Sequence, residues 1–419
     1  MSFVEHPLRA SIVSEMHMRR MPPLTSAMVM VQIVRLVTAE EREAERLHVL
    51  QMPGVAPSAI SERSRHIEGQ RSDGGEFVWE CHSEASTMTL IMPASPEDGF
   101  QIAGDNEDAM QWIMDAPGAV LRAVRIAIVG NADADRMIKA ADFTASELVS
   151  AQIGPVQIWS DFLVRSDSFG RLVVTGGDLP PADLGRIIHQ LQELGNYRNL
   201  ALLGLPLAQE QSVAVTRLEK ELVAIAERME AGIADQLLLD ELCGVAAQLT
   251  RITAATAYRM SATVAYARIV EERLDTLASS RVAGFQSLQE FTQRRLLPAT
   301  RTCASFSARL EGLSVRVERA TSLLRTQVEM VVQEQNAALL TSMDNNAERQ
   351  LRLQRVVEGL SVVAVSYYAV GLLAYILHAI APAIHVPDDQ LVAASVIPVF
   401  LLVWTMLRRK VNSIVGMKH

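Results

Sequence analysis

Two short segments of this 419-residue chain carry carboxylate and imidazole at alternate positions. Glu15 and His17 stand two apart, with Arg19 two further on, and Glu80, His82 and Glu84 repeat the spacing. On a β-strand, side chains two and four apart face the same way. Each segment would therefore line one face with nitrogen and oxygen donors. If the two segments pair, Glu15, His17, Glu80, His82 and Glu84 form one cluster that could hold a divalent metal ion, since this donor set suits zinc, manganese or iron. The alternative is a polar strand face tied by Glu–His and Glu–Arg hydrogen bonds, with no ion. Spacing alone leaves both open.

A second polar pattern lies near the C-terminus. Asn346, Gln350, Gln354, Glu358 and Ser361 recur at helical steps, and Tyr368 continues the series. A helix shows such a set on one face. In a symmetric ring of helices, Gln354, Glu358, Ser361 and Tyr368 could line a water-filled path, with Glu358 as a ring of carboxylates at the membrane entrance. Otherwise the stripe is the solvated face of a coiled coil. His378, His385, Asp388 and Asp389 follow. Multiplied by symmetry, Asp388 and Asp389 would make an acidic outer rim that attracts cations; alone, they are polar turn residues after Pro387. The cluster Asn196-Tyr197-Arg198-Asn199 either has a function or packs a helix at a domain joint. No phosphate loop, dinucleotide-binding glycine pattern, nucleophile elbow or His-Glu-x-x-His motif is present, so no enzyme is expected.

The elements that carry these residues can be read from proline placement and apolar runs. Between Pro298 and Pro382 there is no proline. That span predicts one helix, started by one proline and stopped by the other, on the order of 120 Å long. Its first two thirds are polar and its last third is apolar. Leu360 to Ala381 is about 22 residues, long enough to cross a bilayer, and Leu391 to Leu407 about 17, at the short limit for spanning. A buried hairpin in a soluble core is the alternative. Arg349, Arg352 and Arg355 precede the first run, Arg408, Arg409 and Lys410 follow the second, and the loop between them has no basic residue. That asymmetry predicts both termini in the cytosol. The N-terminus lacks the layout of a secretory signal. Cys81, Cys243 and Cys303 are odd in number and widely spaced, which suits a reducing compartment without a disulfide or zinc framework. A net charge of -9 and 5% aromatic residues argue against nucleic acid as a partner.

Residues 1–180 read as a mixed α/β cytosolic domain. Strands are expected at Val29–Leu36, Glu76–Cys81, Thr87–Met92, Val120–Val129, Val156–Val164 and Leu172–Thr175, with helices at Thr38–Gln51 and Asn131–Ala145 on one face. Leu121, Ala123, Arg125 and Ala127 alternate only imperfectly with Arg122, Val124, Ile126 and Ile128. Residues 181–297 read as helical layers without further strands. Helices are expected from Pro181 to about Gly204, from about Gln209, over Asp235–Leu249, from about Ile252 to Leu277, and over Gln286–Leu297. A stalk helix at 298–359, membrane helices at 360–381 and 391–407, an outer loop at 382–390 and a basic tail at 408–419 complete the layout. The fold class is thus α+β or α/β, then helical layers, a very long helix and a transmembrane hairpin.

Several motifs carry a family resemblance. HPLR, Ser14-Glu15-Met16-His17-Met18-Arg19, Trp79-Glu80-Cys81-His82-Ser83-Glu84, Tyr197-Arg198 with ALLGLP, and LLRTQVEMVVQEQNAALLTSM leading to VEGLSVVAVSYYAVGLLAYIL resemble an uncharacterised bacterial family of membrane-anchored proteins. That resemblance covers nearly the whole chain and implies an inner-membrane location, but no activity. The layout alone is similar to that of the CorA magnesium-channel superfamily. It implies a pentamer whose first span lines a pore. Where that superfamily carries Gly-Met-Asn, this chain has His378-Ala379-Ile380-Ala381. The expected function is a homo-oligomeric inner-membrane protein that conducts a cation or regulates such a channel. The alternatives are a membrane-anchored scaffold or sensor, and a metal-dependent enzyme built on the Glu–His segments. The partners expected are the lipid bilayer and other copies of the chain.

Overall fold

The computed structural model describes residues 5–9, 12–13, 21–52, 64–71, 74–95, 97–102, 106–384 and 388–415, without the side chains of 379–384, 388, 408 and 410–415. The chain divides into two compact units, residues 1–231 with 240–321, and residues 232–239 with 322–419.

The first unit is built on a sheet of nine strands among the described residues. They are β1 (Met28–Leu36), β2 (His66–Gln70), β3 (Glu76–Cys81), β4 (Ala85–Pro93), β5 (Ala119–Val129), β6 (Val149–Ile153), β7 (Val156–Ser160), β8 (Gly170–Thr175) and β9 (Ser280–Arg281). Their order is β2-β3-β4-β1-β5-β8-β7-β6-β9. The β5–β8 pair is parallel and the other pairs are antiparallel. The interior strand β1 is buried on both sides, which is why its sequence is an almost unbroken apolar run. Val29, Val31 and Ile33 join one core, while Met30 joins the core on the opposite face.

Helices cover both faces rather than the one face expected. Helices α1 (Glu41–Leu50) and α2 (Glu107–Asp115) pack Val49, Ala109, Met110 and Ile113 against β1, β3 and β4. Helix α3 (Ala134–Ala140) packs Ala134 and Met137 against Ala127, Val129, Trp159 and Val173. On the other face, α4 (Pro181–Leu202) lays Leu184, Ile188, Leu191 and Leu194 over Val124, Ile126, Leu172 and Val174. Burying such aliphatic side chains contributes about 1.5–3 kcal/mol each.

Beyond α4 run α5 (Gly204–Glu230), α6 (Gln236–Leu277) and α7 (Leu288–Ile384). In the first unit their buried residues alternate at steps of three and four. In α7 these are Ala299, Cys303, Phe306, Leu310, Leu313 and Val317, and in α5 Val215, Leu218, Leu222 and Ile225. This is the seam pattern of helices packed side by side. Ion pairs Arg228–Glu241 (2.5 Å) and Arg309–Glu219 (2.8 Å) fix α5 against α6 and α7.

Several expected boundaries move. The helices expected at Asp235–Leu249 and from Ile252 are one helix of 42 residues. The short helix before Pro298 and the stalk are also one helix, of 97 residues, which passes through Pro298 and reaches Ile384. Proline removes one backbone donor and costs about 3 kcal/mol inside a helix, yet the seam around Ala299 and Cys303 continues across it. Strand β9 follows Thr175, where no strand was expected. Strand β7 stops at Ser160 instead of Val164, because buried Asp161 turns the chain and accepts from the backbone N–H groups of Thr144 (2.8 Å) and Leu163 (3.2 Å).

One turn before β5 has no room for a side chain. Gly118 has φ +98°, and a Cβ there would lie 2.7 Å from the Leu36 carbonyl oxygen and 2.9 Å from Val37 Cγ2. Gly118→Ala is therefore expected to lose about 2 kcal/mol of stability, read as a lower unfolding midpoint of the full-length protein in mild detergent. An unchanged midpoint would mean that this turn is not held in the left-handed region.

In the second unit, α7 continues with mostly exposed side chains from Arg325 to Leu360. Helix α8 (Asp388–Val415) follows. Among the described residues, two helices are by length and composition apolar enough to cross a membrane: α7 by its last part, and α8 between Asp389 and Leu407.

Candidate functional site

The Glu80, His82 and Glu84 segment does not keep the single strand face that its spacing predicts. Glu80 is the penultimate residue of β3, but His82 and Glu84 lie in the turn that joins β3 to β4, closed by the His82 N–H donating to the Ala85 carbonyl (2.8 Å). They therefore cannot share a strand face with Glu80. The register instead sets Glu80 opposite His66 on β2 and Thr87 on β4. Glu80 Oε1 lies 3.7 Å from His66 Nδ1, and the Thr87 hydroxyl donates to Glu80 Oε2 (3.2 Å). Burial alone would raise the Glu80 carboxyl, but His66 beside it and the charges of His189 and His82 outweigh burial and pull it down to about 2. Glu84 is held by Arg259 of α6 through two hydrogen bonds (3.0 and 2.6 Å). Burial, reinforced by a hydrogen bond with Glu84, pushes the nearby Tyr266 phenol up to about 12. Glu15 and His17 lie outside the described residues. Among the described residues, no group of three His, Cys, Asp or Glu is placed to hold a metal ion.

A different constellation forms on the other side of β5. A cavity of about 380 Å³ opens between β5, β7, β8 and α4, within the size range of small-molecule sites. Val124, Ile158, Phe162, Leu172, Leu191 and Leu194 give it apolar walls, and Arg122 and Arg198 give it charge. Arg122 sits in the same row of β5 as Val124, Ile126 and Ile128, so the strand's pleat aims it at α4. Its Nη1 donates to Gln32 Oε1 of β1 (3.1 Å), and to Gln192 Oε1 (2.8 Å) and Asn196 Oδ1 (2.9 Å) of α4. Gly195 makes this approach possible: a Cβ there would lie 2.9 Å from the guanidinium.

Arg198 is one helical repeat beyond Leu191, so it shares the face that α4 turns to the sheet. Its guanidinium lies over the rings of Phe162 (4.6 Å) and Phe291 (5.6 Å). Burial and the neighbouring Arg198 lower Arg122 to about 9, and burial and Arg295 lower Arg198 to about 10. Both remain cations at neutral pH. The three amides that hold Arg122 also line a smaller hollow with Glu80, His82 and His189, so the two regions share a wall.

Spacing did not reveal Arg122, Gln32 and Gln192. The available signal was an arginine in the apolar row of a buried strand, facing another on the apolar face of a helix. Arg198 and Asn196 belong to the cluster noted from the sequence. Asn196 binds Arg122, and Tyr197 stacks on Tyr266 of α6 (5.7 Å).

The C-terminal candidates lie on α7 and α8. Gln354 and Tyr368 are exposed, and Glu358 and Ser361 half-exposed. The Ser361 hydroxyl donates to the Val357 carbonyl of its own helix (2.8 Å). Asp388 begins α8 and Asp389 is exposed, whereas His385 lies outside the described residues.

No curated protein and no solved structure matches the chain, so neither comparison links it to the CorA superfamily. Residues 4–414 match the family described as "Protein of unknown function (DUF3422)", and the chain belongs to that family.

Proposed function

We propose that this protein is a membrane-anchored sensor whose first unit binds a small organic ligand. The observation that carries this is the cavity beside β5: lined by apolar side chains, supplied with a few converging polar groups, and built mainly from β5, β8 and α4, with Phe162, Val164 and Ser168 of the β7–β8 loop at one side. The apolar end of α7 and helix α8 tether the chain to a bacterial inner membrane with the ligand-binding unit on the cytosolic side. The basic residues before the first run and after the second support that orientation. Exposed Leu339, Leu340, Met343 and Leu351 on α7 support association with further copies of the chain through this segment.

The test is a ligand screen on the full-length protein in lipid nanodiscs, read as a shift in unfolding midpoint. A ligand at a hundred times its Kd should stabilise by about 2.7 kcal/mol, and Leu194→Phe, which narrows the cavity, should remove that shift while leaving the fold. Retention of the protein in the membrane pellet after alkaline extraction tests the tether. Cation conduction in the manner of CorA is the rival. It rests on Glu358, Ser361 and Tyr368, but Ser361 already has its acceptor within α7. Cation flux into liposomes that falls with Glu358→Ala, together with no ligand response, would favour the rival.

A further inference from the structure

Two guanidinium groups narrow the choice of ligand. Arg122 has hydrogen-bond acceptors only on Nη1, all of them neutral amides, and its Nε and Nη2 have none among the described residues. Arg198 has less. It lies over two phenyl rings and has no hydrogen-bond acceptor and no carboxylate partner among the described residues. Other arginines nearby are provided for: Arg171 has Asp167 (3.6 Å) and the carbonyls of Ala140 and Ala141, and Arg295 has Glu147 (3.0 Å).

Burying a charge without a partner is unfavourable, and burying two like charges on one cavity is more so. Purely structural arginines would be expected to meet carboxylates, as Arg259 meets Glu84 and Arg309 meets Glu219. No carboxylate among the described residues fills that place at Arg122 or Arg198. Guanidinium groups bind carboxylate oxygens with directional, charge-assisted hydrogen bonds. The rest of the wall sets the other half of the ligand. Val124, Ile158, Leu172, Leu191 and Leu194 offer an apolar body nothing to hydrogen-bond and much to pack against.

We infer that the cavity binds an organic carboxylate with an apolar body, an acyl or aromatic acid, its carboxylate set against Arg122 and Arg198 and its body against the aliphatic wall. This rests on the ligand-binding reading above and assigns that site its ligand class. Arg198 is then present for the ligand and not for the fold. Met in its place would keep the stem's packing while removing an unpaired cation.

The experiment titrates full-length protein in nanodiscs with octanoate, octanol, octyl phosphate and inorganic phosphate, against Arg198→Met as the control for partition into lipid. Octanoate should bind the wild type saturably and bind Arg198→Met at least tenfold more weakly. Arg122→Met should show a similar loss. Without ligand, Arg198→Met should unfold at the same temperature as the wild type or a higher one, which an arginine retained for stability would not allow. Octanol bound while octanoate is not would overturn the carboxylate assignment and leave the cavity a ligand site. Tighter binding of octyl phosphate or inorganic phosphate would overturn it in favour of a phosphate. Binding of none of the four, in wild type and variants alike, would remove the ligand-binding reading as well.

Discussion

Replacing Glu45 by alanine is expected to destabilise the full-length protein by about 3–5 kcal/mol, the largest effect of any single substitution considered. Glu45 is on α1 and fully buried. Its carboxylate accepts from Trp79 Nε1 of β3 (3.1 Å) and from the Ser86 hydroxyl of β4, and lies 3.4 Å from Arg42 Nη1. Arg42 in turn donates to the carbonyls of His82 (3.0 Å) and Ser83 (3.3 Å), so the pair pins α1 to the β3–β4 turn. Glu45 also supports a second cation. Burial lowers Arg35, and the charges of Glu45 and Asp115 oppose that shift. Arg35 donates to the carbonyls of Ile113 (2.7 Å) and Met114 (3.0 Å), where α2 ends and its dipole favours a cation.

Alanine at position 45 would leave an indole N–H and a hydroxyl buried without acceptors, and would leave Arg35 and Arg42 less neutralised. Glu45→Gln keeps one oxygen as acceptor for Trp79 and Ser86 but loses the charge and turns an NH2 donor toward Arg42, so it should cost less than alanine, which loses the acceptor as well. Denaturant midpoints of the two variants in mild detergent, set against the wild type, read the difference. Equal and small losses would show that water reaches this carboxylate and that the network holds little.

What the sequence disclosed follows the range of the forces involved. Strand β3 matches the expected Glu76–Cys81, and β1, β4, β5 and β8 differ by a few residues, because their apolar runs are local and bounded by turn residues. Strand β2, His66–Gln70, was missed because it is polar and at the sheet edge, where one side needs no apolar residue. Helix α2 was missed because it is only nine residues long and follows a stretch rich in Gly and Asp. Pro298 was read as a helix start because proline usually marks one. Here the seam of α7 against its neighbours overrides that local preference. The alternate spacing of Glu80, His82 and Glu84 was misleading for a related reason. Period-two spacing implies one face only while the strand lasts, and β3 ends at Cys81. The arginine cavity lay beyond any spacing argument, because Arg122 and Asn196 meet only when α4 returns across β5.

Acid should test the Glu80 site more directly than mutation alone. The folded-state carboxyl is pulled from an ordinary 4.5 to about 2. A carboxyl lowered in this way stabilises the fold above its unfolded pKa and loses that contribution as pH falls through the folded one. The window therefore runs from about pH 4.5 down to about pH 2, and the full contribution is about 3 kcal/mol. Burial works against the shift, so its source must be the imidazoles. His66, 3.7 Å away, contributes most, and His189 and His82 contribute by charge.

Wild type and Glu80→Gln should thus show stability profiles that converge as pH falls. Within the window, the wild type should lose up to one proton's worth more stability per pH unit, about 1.4 kcal/mol. Carboxylates elsewhere titrate in both proteins and cancel in the difference. Should unfolding intervene before pH 3, the slope between pH 4.5 and 3.5 still carries the signal. Parallel profiles across that interval would mean that Glu80 keeps an ordinary pKa and that the three histidines do not converge on it. His66→Ala should flatten the wild-type profile toward that of Glu80→Gln, whereas His82→Ala and His189→Ala, which act by charge alone, should flatten it less.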